Sequence, residues 1–256
     1  MRTKTLILIT AIVSLLGSLA YGIDEKPPTG SDKVFHYSGM SFGIPILKAS
    51  IRIEGGTSEQ GRPIYQIRAS IYSLDYLKFL FRINNRFLST VDAETLAPLQ
   101  YVKEIHQQGL LAKKKNYIQT LTFDHSNKKL IIENQNDGER KEIPLSAGTC
   151  DPLSIFAKHY LKDELHPGQD IQMSIFDGVK LRRMVFCSKK GKAESTNFGE
   201  VEALCLESST SFSSFDDREG VIRIWYTTDG KKIPILIELD LPVGNVRFEL
   251  ESVERI

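Results

Sequence analysis

Apolar and polar residues alternate with a period of two along most of the chain, the signature of strands that bury one face. In ILKASIRIE, Leu47, Ala49, Ile51 and Ile53 share one face, and Lys48, Ser50, Arg52 and Glu54 share the other. PIYQIRASIYS repeats the pattern after Gly55-Gly56, with Tyr65, Ile67, Ala69 and Ile71 on one side. NYIQTLTFD and KLIIEN read as a hairpin across HSNK. DIQMSIF and KLRRMVFCS read as another, joined by Asp177-Gly178, a dipeptide suited to the positive φ of a tight hairpin turn. GVIRIWYTT, IPILIELDL and NVRFELESV follow, with Ile235, Ile237, Leu239 and Leu241 alternating in the second. About a dozen mostly antiparallel strands are predicted, and so many must curl, stack or close to hide their edges. The expected fold class is mainly β: curved antiparallel sheets or open barrels.

Two segments break the period. In DPLSIFAKHYL, Asp151 is a helix N-cap and Pro152 the first helical residue. Leu153, Phe156, Ala157, Tyr160 and Leu161 then form one apolar stripe, and Pro167-Gly168 end the segment. An amphipathic helix is predicted over 151–162, its stripe on the sheet and His159 off the stripe toward solvent. SLDYLKFLFRI, residues 73–83, suggests a second, short helical segment at about 74–83. Its Leu74, Leu77, Leu80 and Phe81 would make a stripe, while Tyr76 and Phe79 add apolar surface on the other side. That is more apolar surface than one packing face uses.

One turn grammar occurs twice, in VDAETLAPLQYVKEIHQQG (91–109) and in YTTDGKKIPILIELDLPVG (226–244). An Asp opens a turn, a Pro begins a strand where its missing N–H costs little, and a Gly closes the segment. Beyond the two prolines, Pro98 and Pro234, the segments share almost no identity. One domain over 34–256 is therefore expected, with two similar halves (34–148 and 165–256) around the 151–162 helix.

The N-terminus sets the expected compartment. Arg2 and Lys4 precede the uncharged run TLILITAIVSLLGSLA, and Ala20 and Gly22 offer a small-residue cleavage site. Residues 1–22 read as a secretory signal peptide and 23–33 as a polar linker, so the protein is expected to be exported, to the periplasm. The 33 basic and 32 acidic residues nearly cancel, which argues against a nucleic-acid partner. Export makes a disulfide feasible among Cys150, Cys187 and Cys205. Cys187 and Cys205, on strands close in sequence, are the candidate pair; three unbridged thiols are the alternative.

No reaction is legible. The histidines His36, His106, His125, His159 and His166 lack the i, i+4 spacing of a helical metal site, and no CxxC or G-x-S-x-G is present. Asp124-His125 reads as a hairpin turn, Trp225 as core, and Asp151 as a cap. No catalytic residue, metal or cofactor is expected.

The ordered series RFLSTVDAETLAPLQYVKEIHQQG, TFDHSNKKL, CDPLSIFAKHYL, GQDIQMSIFDGVKL and IRIWYTTDGKKIPILIELDLPVGNVRFEL resembles the bacterial secreted domain-of-unknown-function family 3108, from about Tyr37 to Leu250. That resemblance implies a secreted protein and supplies no reaction. Cys187 and Cys205 depart from the family pattern. In its turn grammar the chain is also similar, more loosely, to LolA-type periplasmic lipoprotein carriers, in which a sheet wrapped round a helix holds acyl chains. The expected function is a non-enzymatic cell-envelope protein, membrane-peripheral at most, that binds a lipid or acyl chain or an envelope partner protein. Leu77, Phe79, Leu80 and Phe81 are expected to border an apolar groove. An envelope hydrolase or isomerase with a dispersed site, and a structural or assembly factor without ligand, are the alternatives.

Overall fold

Alternation carries through to three dimensions as one continuous sheet of fifteen strands among the described residues. The computed structural model describes residues 32–58, 60–109, 114–162, 165–212, 217–242 and 244–256. The expected signal peptide (1–22) and residues 23–31 of the expected linker lie outside them. Eight strands run as a meander: Lys33–Ser41 (β1), Ile44–Thr57 (β2), Pro63–Ser73 (β3), Phe81–Asp92 (β4), Pro98–Gly109 (β5), Lys115–Asp124 (β6), Lys129–Asn134 (β7) and Arg140–Pro144 (β8). Thr149–Cys150 (β9) precedes a helix, Pro152–Leu161 (α1). A second meander follows: Asp170–Phe176 (β10), Leu181–Ser195 (β11), Gly199–Phe212 (β12), Arg218–Thr227 (β13), Pro234–Leu241 (β14) and Gly244–Arg255 (β15). Antiparallel pairing of β1 with β15 joins the two meanders, and β9 pairs parallel with β10. The sheet therefore ends at β8 and β9 and is not closed by a ladder.

The inward rows make the core. Leu47, Ile51 and Ile53 of β2, Ile67 and Ile71 of β3, and Ile235, Leu239 and Leu241 of β14 are buried where the alternation places them. Helix α1 lies on this concave face, nearest β3 and β4. Its start is fixed by a capping box. Asp151 Oδ1 accepts from the Leu153 and Ser154 amides at 2.8 and 3.0 Å, and Ser154 Oγ accepts from the Asp151 amide at 3.0 Å. Asp151 Oδ2 also accepts from Ser89 Oγ on β4 at 2.8 Å, so one carboxylate both caps the helix and ties it to the sheet. Phe35 packs edge-on against Phe156 and Tyr160. His159 is buried rather than solvated, with its ring 6.3 Å from that of Phe186.

Both copies of the repeated turn fold alike. Asp92 Oδ1 accepts from the Glu94 and Thr95 amides in one, and Asp229 Oδ1 from the Lys231 amide in the other. Two residues before each proline the chain turns left-handed, at Leu96 (φ 56°) and Lys232 (φ 50°). Each strand pair then carries a register shift opposite the proline. Each proline carbonyl accepts from a distant side chain: Pro98 from His125 Nε2 at 2.7 Å, Pro234 from Tyr37 Oη at 2.9 Å.

The second helical segment is not formed. Residues Asp75–Leu77 make a single 3-10 turn, and Phe81 already begins β4. The leucine spacing that imitates a helix there arises from a tight turn running into a strand, whose inward residues Phe81 and Ile83 are two apart. Trp225 also differs from expectation. It is half-buried on the outer face, with Nε1 donating to Glu238 Oε2 at 2.9 Å.

Candidate functional site

The concave face is not filled evenly. A cavity of about 290 Å³ lies between α1 and the inner face of β10–β14. Its apolar walls come from Met184 and Phe186 on β11, Ile222 and Ile224 on β13, Ile237 and Leu239 on β14, and Leu153, Ile155 and Phe156 on the helix. Ile222 pairs with Leu239 and Ile224 with Ile237, so two neighbouring strands present a continuous aliphatic surface.

The other end of the cavity is polar. It is built where the Asp177–Lys180 turn between β10 and β11 meets the inward residues of β5 and β6. Gly178 makes this approach feasible. Its φ is +91°, and a Cβ there would stand 2.3 Å from Lys103 Nζ and 2.4 Å from Gln119 Oε1. Lys103 Nζ donates to the Asp177 carbonyl at 3.2 Å, bridging residues 74 apart in sequence. This turn contact, rather than a strand ladder, brings the two meanders together here. The Asp177 carboxylate is occupied locally. Its Oδ1 accepts from the Val179 and Lys180 amides, both at 2.8 Å, and its Oδ2 from Arg182 Nε at 3.1 Å. Arg182 also donates to Ser211 Oγ at 2.6 Å and Asp217 Oδ1 at 3.0 Å. Lys115, Tyr117 and Thr210 complete this end.

Lys103 is the unusual group. It is 3% exposed, yet its ammonium makes one hydrogen bond, to the Asp177 carbonyl; the centre of the Tyr117 ring lies 5.6 Å away, and Gln119 Oε1 stands nearby without bonding it. Burial pushes its pKa down from 10.5 to about 8; Asp177 opposes that shift and Lys115 adds to it. Burial, with Asp177 behind it, raises the Tyr117 phenol. The Asp151 carboxyl is also raised by burial, against the pull of its cap and Ser89 hydrogen bonds.

The residues expected at an apolar groove do not line this cavity. Phe81 is core, Leu77 and Leu80 are half-buried against the core, and Phe79 is 69% exposed. They separate because a 3-10 turn followed by a strand points neighbours in different directions, where a helix would have aligned them. The expected bridge between Cys187 and Cys205 is not present. The two lie on adjacent strands and the same outer face, but Cys187 stands opposite Glu207 and Cys205 opposite Lys189. Such diagonal positions have Cα atoms ~7–8 Å apart, beyond the ~7 Å limit of a disulfide. Lys103 escaped the sequence reading although a signal was there: in YVKEI it shares the inward face of a strand with Tyr101 and Ile105.

No group of His, Cys, Asp and Glu with metal-binding geometry occurs among the described residues. No helix among them is long and apolar enough to cross a membrane.

Residues 34–251 match the family described as protein of unknown function DUF3108, and the chain belongs to that family. No curated protein matches the sequence. Among solved structures the chain is similar to a β-barrel-like protein of domain of unknown function DUF1849 from Brucella abortus. The TM-score is 0.55 at 12% identity, over 90% of this chain and 100% of that one. At that identity the likeness shows the fold alone. The looser similarity to LolA-type carriers is not shown by these comparisons.

Proposed function

We propose, from membership in a family of unknown function, that this protein is an exported cell-envelope protein that holds an apolar chain beneath α1. The observation that carries the reading is the cavity itself. Apolar side chains from β11, β13, β14 and α1 face about 290 Å³ that none of them fills. Apolar surface gains ~25 cal/mol for each Å² withdrawn from water, so a hydrocarbon chain is the occupant these walls favour. The volume sits at the lower end of ligand pockets, which span ~300–1,000 Å³, and suits one acyl chain better than two. The basic n-region and uncharged apolar run at residues 2–20 support export.

Native mass spectrometry of protein purified from its own envelope tests this. The expected result is a mass increment that organic extraction releases as an acyl compound, on a chain beginning at or near Ile23. Ile224→Trp, which fills the cavity, should abolish the increment while the protein stays folded. A bare protein mass, together with no binding of a neutral naphthylamine probe by the purified protein, would contradict the reading.

A further inference from the structure

The polar end of the cavity narrows the ligand. A buried ammonium needs a counter-charge or a full set of acceptors, because water no longer solvates it. Lys103 has neither. Its three donors find one carbonyl at 3.2 Å, and no carboxylate lies within ion-pair distance of it among the described residues. The nearest acidic residue in the wall, Asp177, has its carboxylate bound to Arg182 and to two amides of its own turn. Three cationic side chains, Lys103, Lys115 and Arg182, line this end; Asp177 is the one acid in its wall, and Arg182 is paired with it and with Asp217 beyond the wall. At the opposite end the walls are aliphatic. A cavity with a hydrocarbon end and a cationic end matches a molecule built the same way.

We propose that the cavity takes a single-chain amphiphile whose anionic oxygen headgroup, a carboxylate or a phosphate monoester, accepts hydrogen bonds from Lys103. The proposal rests on the apolar-chain reading above and adds the headgroup and the orientation. The chain lies along Ile222, Ile224, Ile237 and Leu239 under the helix. The headgroup sits at the Asp177–Lys180 turn, where it takes the place of the carboxylate Lys103 lacks. At ~30 Å³ for each water-sized group, the volume accommodates roughly ten groups of methylene size, which sets the probe length.

The test is calorimetric titration of the purified, delipidated protein with decanoate, decyl phosphate and decanol, and with acetate and inorganic phosphate as headgroups without a chain. The wild type should bind both anionic compounds at least about tenfold more tightly than decanol, the weight of a charge-assisted hydrogen bond. A preference for one anion identifies the headgroup source. Lys103→Met should erase the ratio, and Lys189→Met, on the outer face, should preserve it. A second readout uses the unmodified protein and does not depend on Lys103→Met folding. Decanoate affinity should fall as pH rises above about 8, where Lys103 deprotonates in the empty site, while decanol affinity stays level. The groups facing Lys103 are Asp177, Lys115, Tyr117 and Gln119. Equal affinity for decanol and decanoate overturns the headgroup assignment and leaves the apolar cavity standing. Binding of acetate or phosphate as tightly as decanoate overturns the amphiphile. Binding of no chain-bearing compound overturns both readings.

Discussion

The two meanders present similar buried aliphatic rows to one concave space, yet α1 packs directly on one row and leaves a cavity beside the other. On the β3–β5 side, Phe87 stacks on Tyr101 at 6.5 Å, Ser89 holds the Asp151 cap, and α1 lies close against the strands. On the β10–β14 side the rows of Ile222, Ile224, Ile237 and Leu239 face the cavity. Sequence alternation is equally clean in both, so the difference comes from where the helix docks. The buried Asp151 carboxylate ties α1 to Ser89 on β4, and toward β13 and β14 the helix borders the cavity instead of packing on the strands. An inward aliphatic row is therefore a core only if something in the chain reaches it.

Truncations should read this asymmetry directly. Phe87→Ala removes a fully buried ring with no room to collapse and should cost ~3–5 kcal/mol, measured by urea unfolding. Ile237→Ala, whose side chain already borders a void, should cost ~2 kcal/mol or less in the empty protein. Equal costs would dissolve the distinction between the two sides.

Next in size is a pH effect confined to the polar end. The pKa of Lys103 falls from 10.5 to about 8 on folding, so between those values the unfolded chain binds more protons than the folded one. Stability therefore gains as pH rises from about 8 toward 10.5, and that gain is lost as pH falls back through about 8. Its ceiling is on the order of 3 kcal/mol. Lys103→Met should flatten this slope relative to the wild type, and an unchanged slope would remove Lys103 as its source.

Asp151→Ala should cost ~2 kcal/mol, since it strips a cap and leaves the Ser89 hydroxyl without its acceptor. If the helix docking sets the asymmetry, the same change should also loosen probe binding in the cavity. The smallest effect is expected at Phe79→Asp, within ~0.5 kcal/mol, because that side chain is largely in solvent. Phe81→Asp, two residues on and buried, should unfold the protein.

Strand content and the helix were legible because each rests on local rules. β2 and β14 alternate, and Asp151-Pro152 opens a helix by capping and by the fixed φ of proline. The repeated Asp-to-Pro turns were legible for the same reason, since a left-handed residue, a bulge and a strand-opening proline are all local. The run at 74–83 misled because leucines three apart satisfy a helix stripe even when a tight turn and a strand share them. The cavity was illegible in a stronger sense. It depends on the Asp177–Lys180 turn reaching β5 and on the docking of α1, contacts between residues far apart in sequence. The offset of Cys187 from Cys205 likewise follows from strand register, which hairpin length alone does not disclose.

Methyl NMR during titration with decanol tests whether the β13–β14 wall under α1 takes a ligand. The resonances of Ile222, Ile224, Ile237 and Leu239 should shift saturably with one affinity, while those of Ile67 and Ile71 across the concave face stay still. No shift at the first group, or equal shifts at both, would contradict the account.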